Sequence, residues 1–376
     1  MARTAVGWEE TRGDPLMPEI NVGDLLEVID TVTVIDVRSP GEFEEWSIPS
    51  AINLPLEEIE GRVTEVPRGT IVLVCAAGRR ASLATDILAS HGLDSLVLSG
   101  GMGAWGRAYD EVARTFGAVT VVQIRRRGKG CLAYVVGGAD TCIVIDPSLD
   151  IERPVAVAQS RGWAISYVVD THLHADHLSG ARLLAEATGA TLLLNGADPF
   201  TYEGSPLLDG SELFFDPHAS LKVSAVATPG HTRGSTTFAL SDEVLFTGDT
   251  LFVDSVGRPD LAEHAREFAK DLFGSIHDQL LTRRDGTLVL PAHFGPGVEV
   301  RADRFVGATL GSLRASLPAL SMSEASFIDW ASSRTSQTPP NYQSIIEANI
   351  SGAVINEADR ALLEFGPNRC AVDPVI

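Results

Sequence analysis

The sequence has no apolar run approaching the roughly 20 residues that cross a bilayer as a helix, and its opening, MARTAVGWEE, lacks the apolar core of a secretion signal. It has only four cysteines, Cys75, Cys131, Cys142 and Cys370, and no Cys-x-x-Cys pair. A disulfide frame is therefore not expected, and the thiols read as reduced, in a cytoplasmic protein. Positive charge is scarce: 29 lysines and arginines stand against 50 aspartates and glutamates, for a net charge of −21. A phosphate backbone or an anionic lipid surface would repel such a chain, which argues against nucleic acid and membrane as partners. Any anionic substrate must be received by local arginines. Heptad runs, low-complexity tracts and internal repeats are also missing. What remains is a soluble globular composition, 44% hydrophobic and 21% charged, long enough at 376 residues for two or three domains.

Two architectures follow one another. Between residues 18 and 112, the apolar runs VTVIDV (32–37), TIVLVC (70–75) and SLVLSG (95–100) alternate with helical patterns such as ASLATDILASHG (81–92). Continuous apolar strands separated by helices predict a parallel sheet covered on both faces, a compact α/β domain. After a boundary near 112–119, strands come in series: CLAYVVG, TCIVIDP, ISYVVDT, TLLLN, LKVSAVAT, STTFAL, EVLFTGD and TLVLPAH. Interspersed helical stretches predict a β-sandwich flanked by helices over residues 118–310. Residues 311–376 read as an extension packed on that second domain.

Several of these strands end in a group able to ligate metal. ISYVVD leads into THLHADH, with His172, His174, Asp176 and His177; the others deliver His231, Asp249 and His293. A rigid strand stopping at a loop holds imidazoles and carboxylates within the tight geometry a metal needs. In an extended loop, His172 and His174 would point the same way. A lone histidine is usually structural, but seven such groups at strand ends predict a metal site.

These motifs resemble those of the metallo-β-lactamase superfamily: THLHADH, then PGHT (229–232), GD (248–249) and PAH (291–293), in order over roughly residues 118–300. Asp146, closing TCIVIDP, matches the early aspartate that supports the site in that superfamily. The resemblance implies an αββα sandwich with the metal at one edge.

The first domain carries a different candidate. Cys75 ends a strand and opens C-A-A-G-R-R-A ahead of a helix, where backbone N–H groups and the helix dipole favour a thiolate. Arg79 and Arg80 add donors for a sulfur oxyanion; the bland alternative is a buried strand-end cysteine beside surface arginines. IDVRSPGEFEEWSIPSAINLP (35–55), this loop and LSGGMGAW (98–105) resemble rhodanese domains in content and order. The resemblance implies a persulfide carried on Cys75, with Arg80 helping to close the loop around substrate and Asp36 and Arg38 structural. The family's usual G-H-I-P-G-A is here WSIPSA (46–51), without its histidine.

Ligand types alone do not decide between hydrolysis and oxygenation, since a binuclear hydrolase and an iron dioxygenase could both draw on this set. TLFVDSVGRPDLAEH (250–264) is similar to the G-R-T-D stretch of persulfide dioxygenases, with proline in place of threonine. GCLAYVVG (130–137), TPPNYQSIIEAN (338–349) and EFGPNRCAV (364–372) also resemble that family. A rhodanese and a persulfide dioxygenase would share a labile intermediate, which gives their fusion a chemical logic. The resemblance implies one Fe(II) per chain on His172, His231 and Asp249. His174, Asp176, His177 and His293 then stand behind the ligands or hold a second metal. It also implies Arg258 binding a persulfide's carboxylate, and dioxygen, thiosulfate and a glutathione-type thiol persulfide as partners. A zinc or binuclear thioester hydrolase of glyoxalase II type, and a non-catalytic persulfide carrier or sensor, remain as alternatives. A homo-oligomer is left open.

Overall fold

The computed structural model describes residues 18–215, 222–260, 264–334, 338 and 341–373. The opening decapeptide, Leu221 of the LKVSAVAT run, residues 261–263 of the stretch after GRPD and residues 339–340 of the TPPNYQ run lie outside these. The chain divides into two units, one ending at Ala108 and the other beginning at Tyr109.

In the first unit five parallel strands are ordered Glu19–Ile20, Ser95–Leu98, Ile71–Val74, Thr33–Asp36, Ile52–Asn53. The central strand shows why its sequence is apolar throughout. Ile71, Leu73 and Cys75 enter one core with Leu88 of helix Arg79–Ser90, while Val72 and Val74 enter the opposite one with Met102 and Trp105. Alternating side chains of one strand thus serve both faces, as a doubly covered sheet demands. Asp36, at the end of its strand, accepts from the backbone, Nε and Nη2 of Arg38, and the pair is almost wholly buried. Arg38 Nη2 also donates to the Trp46 carbonyl, so this ion pair braces the turn between two elements.

The second unit is a sandwich. Its seven-stranded sheet runs Ser205–Leu207, Thr191–Asn195, Ala164–Val169, Thr141–Ile145, Cys131–Gly138, Val119–Arg126, Tyr109–Phe116. The six-stranded sheet runs Glu212–Phe214, Lys222–Ala227, Thr236–Leu240, Val244–Gly248, Leu288–Pro291, Ala308–Thr309. Val121, Tyr134 and Ile143 of one sheet meet Phe238, Phe246 and Leu290 of the other in a shared core. Each such side chain contributes about 1.5–3 kcal/mol on burial. Helices Glu152–Ser160 and Ala181–Thr188 cover the outer face of the first sheet, with Val157 and Leu184 packed near Val135 and Val168. Helices Ala265–Gly274, Leu310–Ser316 and Glu324–Ser333 cover the second, with Leu272, Leu313 and Phe327 clustered with Leu245 and Val289. The layer order is αββα.

Two details sharpen the sequence reading. The division falls at Ala108, ahead of 112–119, because RTFGAVTV is part of a hairpin that belongs wholly to the second unit. Tyr109–Phe116 turns at Gly117 (φ 57°) and pairs antiparallel along Val119–Arg126. Residues beyond 310 supply part of the core under the second sheet, and strand Ala308–Thr309 and helix Leu310–Ser316 lead into them directly. Among the described residues no helix is long and apolar enough to cross a membrane, and all four cysteines are free and buried.

Candidate metal centre and sulfur loop

Strand Ala164–Val169 ends where THLHADH begins, and residues 171–178 are all buried although they form neither helix nor strand. A buried irregular loop must find partners for its backbone. Thr171 donates its N–H to Asp146 Oδ1 (2.6 Å) and its hydroxyl to Asp146 Oδ2 (3.0 Å). Asp146 itself sits at φ 53°, a left-handed conformation uncommon outside glycine that aspartate tolerates better than most residues. Further along, Asn349 Nδ2 donates to the carbonyls of His174 and His177 (2.9 Å each), and its Oδ1 accepts from Ser179 N. Glu364 Oε1 accepts from Leu178 N at 2.8 Å.

Three side-chain atoms converge without a hydrogen-bond partner among the described residues: His172 Nε2, His231 Nε2 and Asp249 Oδ2. Both nitrogens lie 3.5 Å from that oxygen, and all three residues are buried. Leaving such atoms unpaired would cost about 1–3 kcal/mol each, so the cradle fits a bound cation. The opposite atom of each of these side chains is held from behind. Thr171 Oγ1 gives its proton to Asp146, so it accepts from His172 Nδ1 (2.9 Å), leaving Nε2 with its lone pair. His231 Nδ1 donates to the Arg258 carbonyl (2.8 Å) and His293 Nδ1 to Asp249 Oδ1 (2.6 Å). Such outer contacts fix ring orientation and tautomer for a metal. Burial pushes the His231 imidazole down to about 4, keeping it neutral at physiological pH, as metal ligation requires.

His174 does not share this cradle. The expectation that it points with His172 assumed an extended loop. The two rings do lie side by side, with centroids 4.2 Å apart, but His174 Nε2 faces Asp146 (3.3 Å) and Asp170 (3.6 Å). Burial works against its charge, but those two aspartates hold the imidazole well above its ordinary value. His177, Asp176 and His293 gather in a second cluster that also contains Cys131. His293 Nε2 lies 3.0 Å from Asp176, His177 Nδ1 donates to Asp176 (2.9 Å), and Cys131 Sγ lies 3.3 Å from it. Cys370 Sγ reaches the Asp249–His293 side of the centre. Neither cysteine was singled out as a site residue; both lie in stretches, GCLAYVVG and EFGPNRCAV, that sequence comparison could mark only as family-like.

Arg258, expected to bind a persulfide's carboxylate, is engaged within the protein. It is fully buried, with Nε and Nη2 gripping Asp260 (2.7 and 2.8 Å) and Nη1 donating to the Arg369 carbonyl (3.1 Å). In this geometry it is a brace. Its carbonyl orients His231, and its N–H donates to the Cys370 carbonyl, tying the ligand loop to the C-terminal segment.

That segment is held by charge as well. Glu364 is buried against Arg126 (2.9 Å) and Arg360 (3.2 Å). Burial alone would raise its carboxyl, but these arginines outweigh it and hold the group down to about 2, against an ordinary 4.5. A depressed carboxylate stabilises the fold fully above about 4.5, and the contribution, on the order of 3 kcal/mol, fades as pH falls towards 2. Thermal unfolding followed from pH 5 to pH 2.5 should therefore show a shallower acid slope in Glu364→Gln than in the native chain, from a lower starting stability. Parallel slopes would refute the assignment.

In the first unit, Cys75 Sγ accepts from Gly78 N (3.1 Å) at the start of helix Arg79–Ser90. Gly101, at φ 55°, lets its helix approach this loop: a Cβ there would come within 2.2 Å of the Cys75 carbonyl, which instead accepts from Met102 N. Arg79 is exposed. The Arg80 fork is taken up by Glu42 (2.8 Å on both arms), itself the capping-box residue of helix Pro40–Glu45.

Comparison with known proteins agrees with both halves of this geometry. Residues 126–293 match the metallo-beta-lactamase superfamily and residues 21–108 the rhodanese-like domain. The chain is 31% identical to persulfide dioxygenase ETHE1, mitochondrial, of Bos taurus, over 49% of its own length and 72% of the relative's. The corresponding Mus musculus protein is 29% identical, over 62% and 89%. Among solved structures, ETHE1 from Myxococcus xanthus superposes with a TM-score of 0.53 at 26% identity, covering 64% of this chain and 98% of that one. The chain thus belongs to the persulfide dioxygenase family of the metallo-beta-lactamase superfamily, with a rhodanese-like domain preceding the metal-binding unit.

Proposed function

We propose that this protein oxidises a glutathione-type persulfide: persulfide, dioxygen and water give thiol, sulfite and two protons, the sulfane sulfur losing four electrons to dioxygen. The observation carrying this reading is the separation of His174 from the cradle of His172, His231 and Asp249. Two histidines and one carboxylate are the set that suits non-haem Fe(II) and leaves positions open for substrates. Iron bound there would supply the redox-active centre. The chain's residues would keep two neutral imidazoles and one carboxylate in fixed tautomers and orientations, in a buried site that excludes bulk water. Cys75 is the proposed carrier of sulfane sulfur in the rhodanese-like domain: its thiolate takes the outer sulfur of thiosulfate, releasing sulfite, and the resulting persulfide passes that sulfur to the thiol, which regenerates the Cys75 thiolate. Free cysteines are consistent with a reducing, cytoplasmic setting.

One observation favours a second reading, a binuclear thioester hydrolase of glyoxalase II type: the atoms of Cys131, Asp176, His177 and His293 lie within 4.8 Å of one another. Metal analysis of protein made in iron-supplied medium, paired with an oxygen electrode, separates the two. The dioxygenase predicts one iron per chain and oxygen uptake on glutathione persulfide. Two metals per chain, thioester cleavage and no oxygen uptake would sink it.

A further inference from the structure

Neither histidine loop of the cradle is regular structure, so something must fix the distance between His172 and His231. The two loops meet at Asp198, on the turn after strand Thr191–Asn195. Its Oδ2 accepts from Leu173 N (3.0 Å), the residue after His172. The same oxygen accepts from the hydroxyl of Thr232 (3.1 Å), the residue after His231. Its Oδ1 accepts from Gly234 N (2.9 Å). Nothing larger than glycine fits at 234, where a Cβ would come within 2.5 Å of the carboxylate. Asn195, from the same strand end, adds a donation to the Gly234 carbonyl (3.0 Å). Asp198 is 5% exposed and among the described residues forms no ion pair with lysine or arginine, so these donors are what sustain its carboxylate in the interior.

We infer that Asp198 is a positioning residue for the metal: one carboxylate spanning both histidine loops sets the spacing of two of the three ligands. The inference rests on His172 and His231 being ligands, and goes beyond that assignment by naming what places them. Groups of this kind change metal affinity by about 10- to 100-fold when lost, because the ligands then reach the metal only after paying to reorganise.

The probe is cobalt(II), bound to the full chain freed of metal, with affinity measured by chelator competition and geometry by its visible absorption bands. Asp198→Asn keeps the shape but replaces one accepting oxygen with a donor. Cobalt affinity should fall about 10- to 100-fold with shifted bands. Thr232→Val, which removes one bond to the same carboxylate and spares the fold if Asp198→Asn does not, should show a smaller loss in the same direction. A lowered unfolding temperature with native affinity and native bands in both variants would overturn the positioning role. His172→Ala distinguishes the two levels: if it also binds cobalt normally, the ligand assignment falls and takes this inference with it. If His172→Ala loses cobalt and Asp198→Asn does not, only the inference falls.

Discussion

His172→Ala, His231→Ala and Asp249→Ala should each lose iron and oxygen uptake together. Each removes one of the three converging atoms, and the nearby His174 Nε2 faces Asp146 and Asp170 instead of the cradle. The loss should exceed the roughly 10- to 100-fold typical of groups that act from behind a ligand. His293→Ala provides the contrast. Its Nδ1 only steadies the far oxygen of Asp249 at 2.6 Å, so much of the iron should remain while turnover falls within that smaller range. Iron per chain and oxygen consumption on glutathione persulfide, measured on the same preparations, give the result. Equal loss of metal in His293→Ala would mean that this histidine is itself a ligand, and the three-residue centre would have to be abandoned.

Cys75→Ser separates the two chemistries. A hydroxyl fills the same place above Gly78 N but does not ionise near neutral pH and cannot hold a sulfane sulfur. Sulfur transfer from thiosulfate to cyanide should disappear, and oxygen uptake should vanish when thiosulfate and glutathione are the only sulfur source. With pre-formed glutathione persulfide, oxygen uptake should continue at the native rate, because the cradle draws all its ligands from the second unit. If a folded, iron-loaded Cys75→Ser failed on pre-formed persulfide, Cys75 would be an obligate carrier and the independence of the two sites would be wrong.

The clustering of the histidine and aspartate motifs was legible because each closes an apolar strand, and strand ends are where a sandwich presents its loops. The parallel sheet ahead of them was legible for a similar reason, since TIVLVC must bury both faces. The partners of His174 were not, because its Nε2 faces Asp146 and Asp170, and spacing within H-x-H cannot report which groups a ring nitrogen meets. Arg258 shows another limit. R-x-D within GRPD offered a local ion pair as readily as a free substrate arginine, and only the folded backbone shows Asp260 taking two of its donors. The boundary at Ala108 was hidden because the strand Tyr109–Phe116 carries polar and charged residues at half of its positions, so the change of pattern shows only from Val119 on. Asn349 lies 175 residues from the His174 carbonyl it holds, a separation at which hydrophobic periodicity carries no information.

That last separation is also an interval of time. Asn349 joins the growing chain 175 residues after His174, roughly 10 to 35 s later at ordinary synthesis rates. Through that interval the His174 and His177 carbonyls and the Ser179 N–H lack the side chain that later binds all three, and Leu178 N waits still longer for Glu364. The rhodanese-like unit, by contrast, has its whole sequence synthesised before the first ligand histidine is made. The rhodanese-like unit can fold on the ribosome, while the THLHADH loop becomes complete only when the end of the chain folds back over it.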